Sequence, residues 1–438
     1  MNRGSIAGRG LCYPRIWQCS SRKRIIAPML LALCILTFIF CIKALRTFII
    51  PTDYIARSRM SFHSKMTLKK VLDSGAGNEV HEDIKSDDYL RRQYFIKYTE
   101  LKQRQLLTAY PEKSSCLEEK SPAVPCYDTT CTTPLSRDQN YSINSLLSTT
   151  HHARMTMLNP LQDLTANLKY THVTIVAASS QNHFLEVQGM IKSLHENIFP
   201  KFKNISFYFY DMGLTRHQLF QLQEYCRCKV INFPFHLMPG AVSNIRCFTW
   251  KPLIVHAHLP KTDILIWADA SVRFTSPEND DLFNDVMNKG LLGGLPDRFF
   301  RPVAHNTALQ MFQYFQIEPC SVAQFQEVEA NFLAFQNQPF IRDLIVETWA
   351  ACALDPNCMC PEGTLNMHHC DYNVRKYAKC HRFDQSTMNL IMLKLFQENY
   401  SSFSFSQKYY AIKRSNKVNY FDFLDEKENL RANKSKNV

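Results

Sequence analysis

Asp269 ends a hydrophobic run, DILIWADASVRF (Asp263 to Phe274), and its place there points to chemistry. A carboxylate emerging from a buried strand is costly unless it has a partner or a task. Asp269-Ala270-Ser271 offers a carboxylate and a hydroxyl two positions apart. They could contact a ribose or hold Mg2+ or Mn2+, ions that take oxygen ligands and complete their shells with diphosphate oxygens. Such an ion would neutralise charge on a leaving nucleoside diphosphate. The bland alternative is a turn in which Asp269 accepts from backbone amides.

A second polar cluster, His381-Arg382-Phe383-Asp384-Gln385-Ser386, precedes a helical run from Thr387 to Phe396. Asp or Ser there is a natural N-cap. The same helix start, with His381 and Arg382 beside it, favours an anion such as a diphosphate. Asp384 could serve as a general base or anchor a sugar hydroxyl. Trp250-Lys251-Pro252 opens another helix, with Pro252 suited to the first helical position. Lys251 either reaches a diphosphate or is a solvated charge, and Arg246 is a second candidate for the same task.

Three further patterns carry expectations. The Gly293-Gly294 pair, ahead of His305-Asn306-Thr307, would let backbone approach a ligand closely. Glu327 and Glu329 share one side of a strand, as an acceptor-side base or, preferred here, as a solvent-facing pair. Cys352, Cys358, Cys360, His368, His369, Cys370, Cys380 and His381 are the residue types of a zinc site. Their spacings match no standard finger, and disulfides are the expectation. Cys226 and Cys228 sit too close to bond each other easily, so each is expected to pair elsewhere.

The elements that must position these residues alternate. Strands are predicted at His172 to Ser179, Ile205 to Gly213, Cys228 to Phe235 and Asp263 to Phe274. Helices are predicted at Phe184 to Ile198, Thr215 to Tyr225 and Lys251 to His258. This order implies an α/β fold with a mostly parallel sheet and flanking helices. Ligands then sit beyond the carboxyl ends of the strands. That singles out Ser179, Ser180 and Asn182, then Asp211 and Gly213, then Asp269 and Ser271.

Upstream, Ile25 to Ile42 are eighteen uncharged positions, the length of a membrane-spanning helix. Arg22-Lys23-Arg24 precede the run, and Lys43 and Arg46 follow it. Orientation rests on what lies beyond. Of 16 cysteines, twelve follow the run, as do sequons at Asn140, Asn204, Asn399 and Asn433. Disulfides and glycans belong to the secretory lumen, so a type II single span is expected. The Golgi membrane is the expected location, with the plasma membrane as alternative. The chain is 438 residues, 45% hydrophobic and 12% aromatic, enough for a sizeable core. Its net charge is +12, of which +6 comes from the first 24 residues, so the body carries no nucleic-acid signal. Asp87 to Tyr110 reads as an amphipathic helix, packing on the body or on a partner stem in a homodimer.

A hydrophobic strand followed by Asp-x-(acid or hydroxyl), after strand–helix units in this order, resembles the GT-A fold of nucleotide-sugar glycosyltransferases. That family carries Asp-x-Asp here; Asp269 matches the first Asp and the neutral Ser271 stands at the second. YDMGLT (Tyr210 to Thr215), TWKPLI (Thr249 to Ile254), WADASVRF (Trp267 to Phe274) and CHRFDQSTMNLIM (Cys380 to Met392) together resemble an uncharacterised, nematode-rich invertebrate family of membrane proteins with GT-A-like character. The resemblance covers about residues 165 to 400. It implies a nucleotide-sugar donor, a glycan or glycoprotein acceptor, and Mn2+ or Mg2+ at Asp269 and Ser271. Asp384 and Asp269 become the catalytic candidates. Ser179, Ser180, Asn182, Asp211, Lys251, Asp269, Ser271, Arg382 and Gln385 become the donor-binding set. The implied layout is a cytosolic tail (1–24), a transmembrane helix (25–45), a lumenal stem (46–168), a GT-A-like domain (169–407) and a charged C-terminal segment (408–438). The alternative is an inactive GT-A-like protein that binds glycans or scaffolds other enzymes.

Overall fold

The computed structural model describes residues 85–109, 135–156, 165–240, 242–275, 280–296, 301–371, 376–405 and 409–436. The expected tail and membrane run, and much of the expected stem, lie outside the described residues. Among the described residues, no helix is long and apolar enough to cross a membrane.

The apolar runs form strands β1 (Thr171–Ser179), β2 (Ile205–Asp211), β3 (Lys229–Asn232) and β4 (Thr262–Ala268). There follow β5 (Val272–Phe274), β6 (Leu291–Gly294), β7 (Glu329–Gln336), β8 (Ser404–Phe405) and β9 (Tyr410–Ile412). The main sheet has seven strands in the order β3-β2-β1-β4-β7-β6-β8, and β5 pairs with β9 in a small second sheet. β1 runs parallel to β2 and β4, β2 to β3, and β6 to β8. β7 is antiparallel to both β4 and β6. The sheet is therefore mixed and mostly parallel.

The helices are α1 (Asp87–Gln103), α2 (Gln139–Met155), α3 (Phe184–Asn197), α4 (Arg216–Tyr225) and α5 (Trp250–His258). They continue with α6 (Asp280–Lys289), α7 (Leu309–Phe315), α8 (Glu347–Leu354), α9 (Asp384–Phe396) and α10 (Tyr420–Lys436). Side chains alternate across a strand, and here each face meets its own core. Val176, Leu265 and Trp267 point to the core built with α1, α2, α5, α7, α8 and α9. Ile175, Ala177, Ile264 and Ile266 point to the core built with α3, α4, α6 and α10. Burial on both faces is why these strands read as unbroken apolar runs.

Three features refine the expected layout. First, α1 and α2 belong to the folded body. Leu90, Tyr94, Leu101, Ile143 and Leu146 are fully buried, and Tyr94 donates its hydroxyl to Leu395 O at 2.6 Å. These residues fall in the compact unit Glu82–Val438. Second, the charged C-terminal segment is structured: Tyr410 and Phe421 are buried in the second core. Third, the strand expected from Asp263 to Phe274 breaks at Asp269. Val272 N–H closes a turn onto Asp269 O at 3.0 Å, and the chain leaves the main sheet as β5. This break turns Asp269 and Ser271 off the strand end.

The glycine pair is also explained by packing. A Cβ on Gly294 would collide with the Tyr410 hydroxyl, and one on Gly293 with Val328. These glycines admit neighbouring side chains, not a ligand.

Candidate functional site

From β1 the chain builds outward through β2 and β3, then returns to lay β4 on the other side of β1. Such a switch point leaves a crevice beyond the strand carboxyl ends, where α/β folds bind ligands. A cleft of about 650 Å3 opens there. Ser179, Ser180 and Asn182 line it from the end of β1, and Asp269 and Ser271 from the end of β4. Lys251 enters from α5, Asn331 from β7, Arg382, Asp384 and Gln385 from the start of α9, and Arg414 from just past β9.

At its centre one ammonium joins two carboxylates. Lys251 Nζ lies 3.1 Å from Asp269 Oδ1 and 2.6 Å from Asp384 Oδ2. It also donates to Ala330 O at 3.1 Å. The approach to Asp384 Oδ2 is a close ion pair without hydrogen-bond alignment. The Lys251 side chain is 3% exposed, that of Asp384 7% and that of Asp269 30%. The rings of Trp267 and Phe248 lie 5.3 and 5.9 Å from the ammonium, close enough for cation–π attraction. Burial disfavours the charged lysine, but Asp269 and Asp384 together outweigh it and hold its pKa above the usual range. Burial pushes the Asp384 carboxyl up, against the pull of Lys251. Lys251 is thus neither a solvated charge nor an open hand for a diphosphate. It is the internal tie between the two acids.

Asp269 is oriented further by Trp267, whose Nε1–H donates to Asp269 Oδ1 at 2.7 Å. Its backbone N–H donates to Asn331 O at 2.8 Å, which ties the turn to β7. Asp384 is not an N-cap. Phe383 holds the cap position at φ 41°, with no side-chain capping bond, and Asp384 is the first helical residue. A bulky residue in the left-handed region costs energy, and such strain gathers at functional sites. Here packing sustains it: Phe383 is 1% exposed, its ring 4.6 Å from His381 and 6.2 Å from Phe248. Trp349 Nε1–H donates to Asp384 O at 3.0 Å and fixes the turn from beneath.

Gln385 and Asn331 present opposite chemistry to the cleft. Gln385 Oε1 accepts from Ala330 N–H at 3.1 Å, and its Nε2 is a buried donor without a partner among the described residues. Asn331 Nδ2 donates to Glu329 Oε2 at 2.9 Å, and its Oδ1 is a buried acceptor without a partner among the described residues. A hydroxyl, which both donates and accepts, could satisfy either atom. Glu329 in turn is ion-paired to Arg301 at 2.6 Å. Glu327 and Glu329 are 1% and 3% exposed, so the expected solvent-facing pair is buried. Burial raises the Glu327 pKa, with Arg382 opposing.

The remaining expectations divide. Asp211 lies outside the cleft lining: its Oδ1 accepts from Gly213 N–H at 2.8 Å and Leu214 N–H at 2.7 Å, a turn role. His381 is fully buried against Met359 O at 2.9 Å, so it adds no charge for an anion. Pro252 is the third residue of α5 rather than the first, within the turn where its missing N–H costs nothing. Cys226 pairs with Cys228, against the expectation that each bonds elsewhere. Cys247–Cys360, Cys352–Cys358 and Cys370–Cys380 account for the cysteines of the zinc-like cluster. Asn140 and Asn204 are exposed and Asn399 half-buried, while Asn433 falls in the last turns of α10.

The expected metal set does not fit a resident Mg2+ or Mn2+. Those ions want several oxygen ligands. Asp269 Oδ1 already accepts from Trp267 and faces Lys251, Ser271 is neutral, and the ammonium fills the space between the two acids. Among the described residues, no three His, Cys, Asp or Glu side chains group as metal ligands.

Buried histidines near the site make stability fall in acid. Burial lowers the pKa of His258 to about 3 and of His381 to about 4. Unfolded histidine protonates near about pH 6.5. Below that value the unfolded chain binds protons that the folded chain refuses. The stabilisation is therefore present above about pH 6.5 and lost as pH falls toward the folded values. Acidification from about pH 7 to about pH 5 is expected to cost about 2 kcal/mol per histidine. Denaturant titrations that give equal stability at the two pH values would contradict this.

Residues 146–256 match a family model described as a protein of unknown function (DUF1647). Among curated proteins, none matches the chain. Solved structures similar to it include glycosyltransferases. Galactosyltransferase LgtC, in complex with donor and acceptor sugar analogues, is 15% identical, covers 53% of this chain and 72% of its own, and gives a TM-score of 0.31. The mannosyltransferase Ktr4p from S. cerevisiae is 12% identical over 67% of this chain and 83% of its own, TM-score 0.35. Core-mannan synthase A from Aspergillus fumigatus, in its Mn/GDP form, is 9% identical over 71% and 90%, TM-score 0.34. These likenesses are distant; what the cleft can do is set by its own side chains.

Proposed function

We propose that the chain is a glycosyltransferase that moves a sugar from a nucleotide-sugar donor to a glycan or glycoprotein hydroxyl. One observation carries this: two acids from distant parts of the chain meet across Lys251 at the switch-point crevice, beside an orphaned donor and an orphaned acceptor. The volume, about 650 Å3, lies in the range of clefts that enclose ligands of this size.

In this reading the nucleotide lies against Ser179, Ser180 and Asn182. Gln385 Nε2 and Asn331 Oδ1 take one sugar hydroxyl between them. Asp384, held by Lys251, anchors a second hydroxyl and faces positive charge developing at the anomeric carbon. The bond from anomeric carbon to phosphate oxygen breaks, and the nucleoside diphosphate leaves with the electron pair. A bond from anomeric carbon to acceptor oxygen forms, and the acceptor hydroxyl passes its proton to the oxygen of the leaving diphosphate.

The four disulfides between described residues and the exposed sequons Asn140 and Asn204 favour an oxidising lumen. With the apolar run at Ile25 to Ile42, they support a type II anchor, which we place in the Golgi membrane. A second reading, an inactive glycan-binding protein, has its support in Ser271 and in the tie that Lys251 places on both acids. Turnover separates the two. The intact chain incubated with common nucleotide sugars should release nucleoside diphosphate with at least one of them. Asp384→Asn should lower that rate about 100-fold or more. Binding without release, unchanged in Asp384→Asn, would favour the second reading.

A further inference from the structure

A diphosphate beside Asp269 needs positive charge, and the local donor set does not fit a divalent ion. The segment that follows β9 carries that charge into the cleft. β9 pairs with β5 through Val272 and Ile412, and Lys413 N–H donates to Ser271 O at 2.8 Å. The chain at Lys413 and Arg414 therefore runs alongside the Asp269–Ser271 turn.

The segment is held at several points. Ser415 N–H donates to Glu186 Oε1 at 2.9 Å, and Arg273 Nη2 to Asn416 O at 3.1 Å. Val418 N–H donates to Leu185 O at 2.9 Å. Ser415, at φ 59°, turns the chain immediately after Arg414. Arg414 is left exposed and lining the cleft, and among the described residues no carboxylate pairs with it. Of the neighbouring cations, Lys251 is engaged with Asp269 and Asp384, Arg301 with Glu329, and Arg273 with Ala270 O and Asn416 O, while Arg246 and Arg382 line other parts of the same cleft.

We propose that Arg414 binds the donor diphosphate in place of a divalent cation. The proposal rests on the transferase reading for its ligand, a nucleoside diphosphate, though not on turnover. A guanidinium meets phosphate oxygens with two parallel N–H donors, and a backbone fixed on both sides limits the freedom lost on binding. The C-terminal segment, which the sequence layout sets outside the transferase domain, becomes one wall of its site.

Calorimetry on the full chain tests this, with inorganic pyrophosphate, UDP and GDP as probes, in EDTA and in Mn2+. At least one probe should bind about equally in both. Arg414→Ala should weaken it about tenfold or more, and Arg414→Lys should fall between, with unchanged melting temperatures. Binding that requires Mn2+, binding unchanged in Arg414→Ala, or no binding of any probe would overturn the proposal. Diphosphate held through Arg414 without turnover of any nucleotide sugar would leave this proposal standing and remove the transferase reading. Turnover that needs Mn2+ and survives Arg414→Ala would do the reverse.

Discussion

Lys251→Met is expected to lower stability by about 3–5 kcal/mol and to abolish donor turnover. The side chain keeps nearly the same length and apolar stem, so little packing is lost. What is lost is the cation between two acids. Asp384, 7% exposed at its side chain, would then face a buried site without its ion-pair partner. Removing one partner of a buried pair costs more than the pair itself contributes, because the remaining charge has no water to return to. Asp269, 30% exposed, can recover part of its hydration and should suffer less. A second substitution separates the charge effect from packing. Lys251→Met combined with Asp384→Asn should regain much of the stability, since a neutral amide replaces the stranded carboxylate. Equilibrium denaturation of the four proteins closes the cycle. A double variant no more stable than Lys251→Met would show that the loss comes from packing of α5 and not from stranded charge.

Among the disulfides between described residues, opening Cys247–Cys360 should cost the most. The bond spans 113 residues, and in the chain-entropy model a loop of that size restricts the unfolded state by about 5 kcal/mol. Cys352–Cys358 spans 6 residues, for which the same model gives about 2 kcal/mol. The longer bond also has a positioning role. Cys247 lies just before α5, which delivers Lys251, and Cys360 opens the segment that brings His368, His369 and Cys370 to the cleft wall. Cys247→Ser/Cys360→Ser should therefore lose more stability than Cys352→Ser/Cys358→Ser and also bind donor more weakly. Equal melting temperatures for the two double variants would contradict the ranking.

The parts legible in the sequence were those encoded locally. β1 and β4 are buried on both faces and so read as apolar runs, and Asp269 is conspicuous because a charge ends such a run. Helix α9 announced its polar start, though the role of Asp384 at that start did not follow. An N-cap and an inward acid have the same local pattern; Lys251, which decides between them, is 133 positions away in sequence. The same holds for α1. Leu90, Tyr94 and Leu101 mark an apolar face, but its partner includes Leu395, three hundred residues on. Asp211 misled for the opposite reason. It stands at a strand end like Asp269, yet its carboxylate is used by the next turn, a choice set by backbone geometry after Gly213. Arg414 gave no signal because β9 is three residues long and depends on an equally short β5 for its place. Cys226 and Cys228 pair across one intervening residue, Arg227, whose φ of 55° bends the chain enough to bring them together.

In the proposed function, the crevice between the carboxyl ends of β1 and β4 holds a nucleotide diphosphate. The most direct measurement is a crystal structure of the protein soaked with UDP or GDP. The diphosphate is expected beside Asp269 and Ser271 with Arg414 against its oxygens, and the nucleoside along Ser179 to Asn182. A nucleotide seated elsewhere, or an empty crevice at millimolar UDP and GDP, would contradict it.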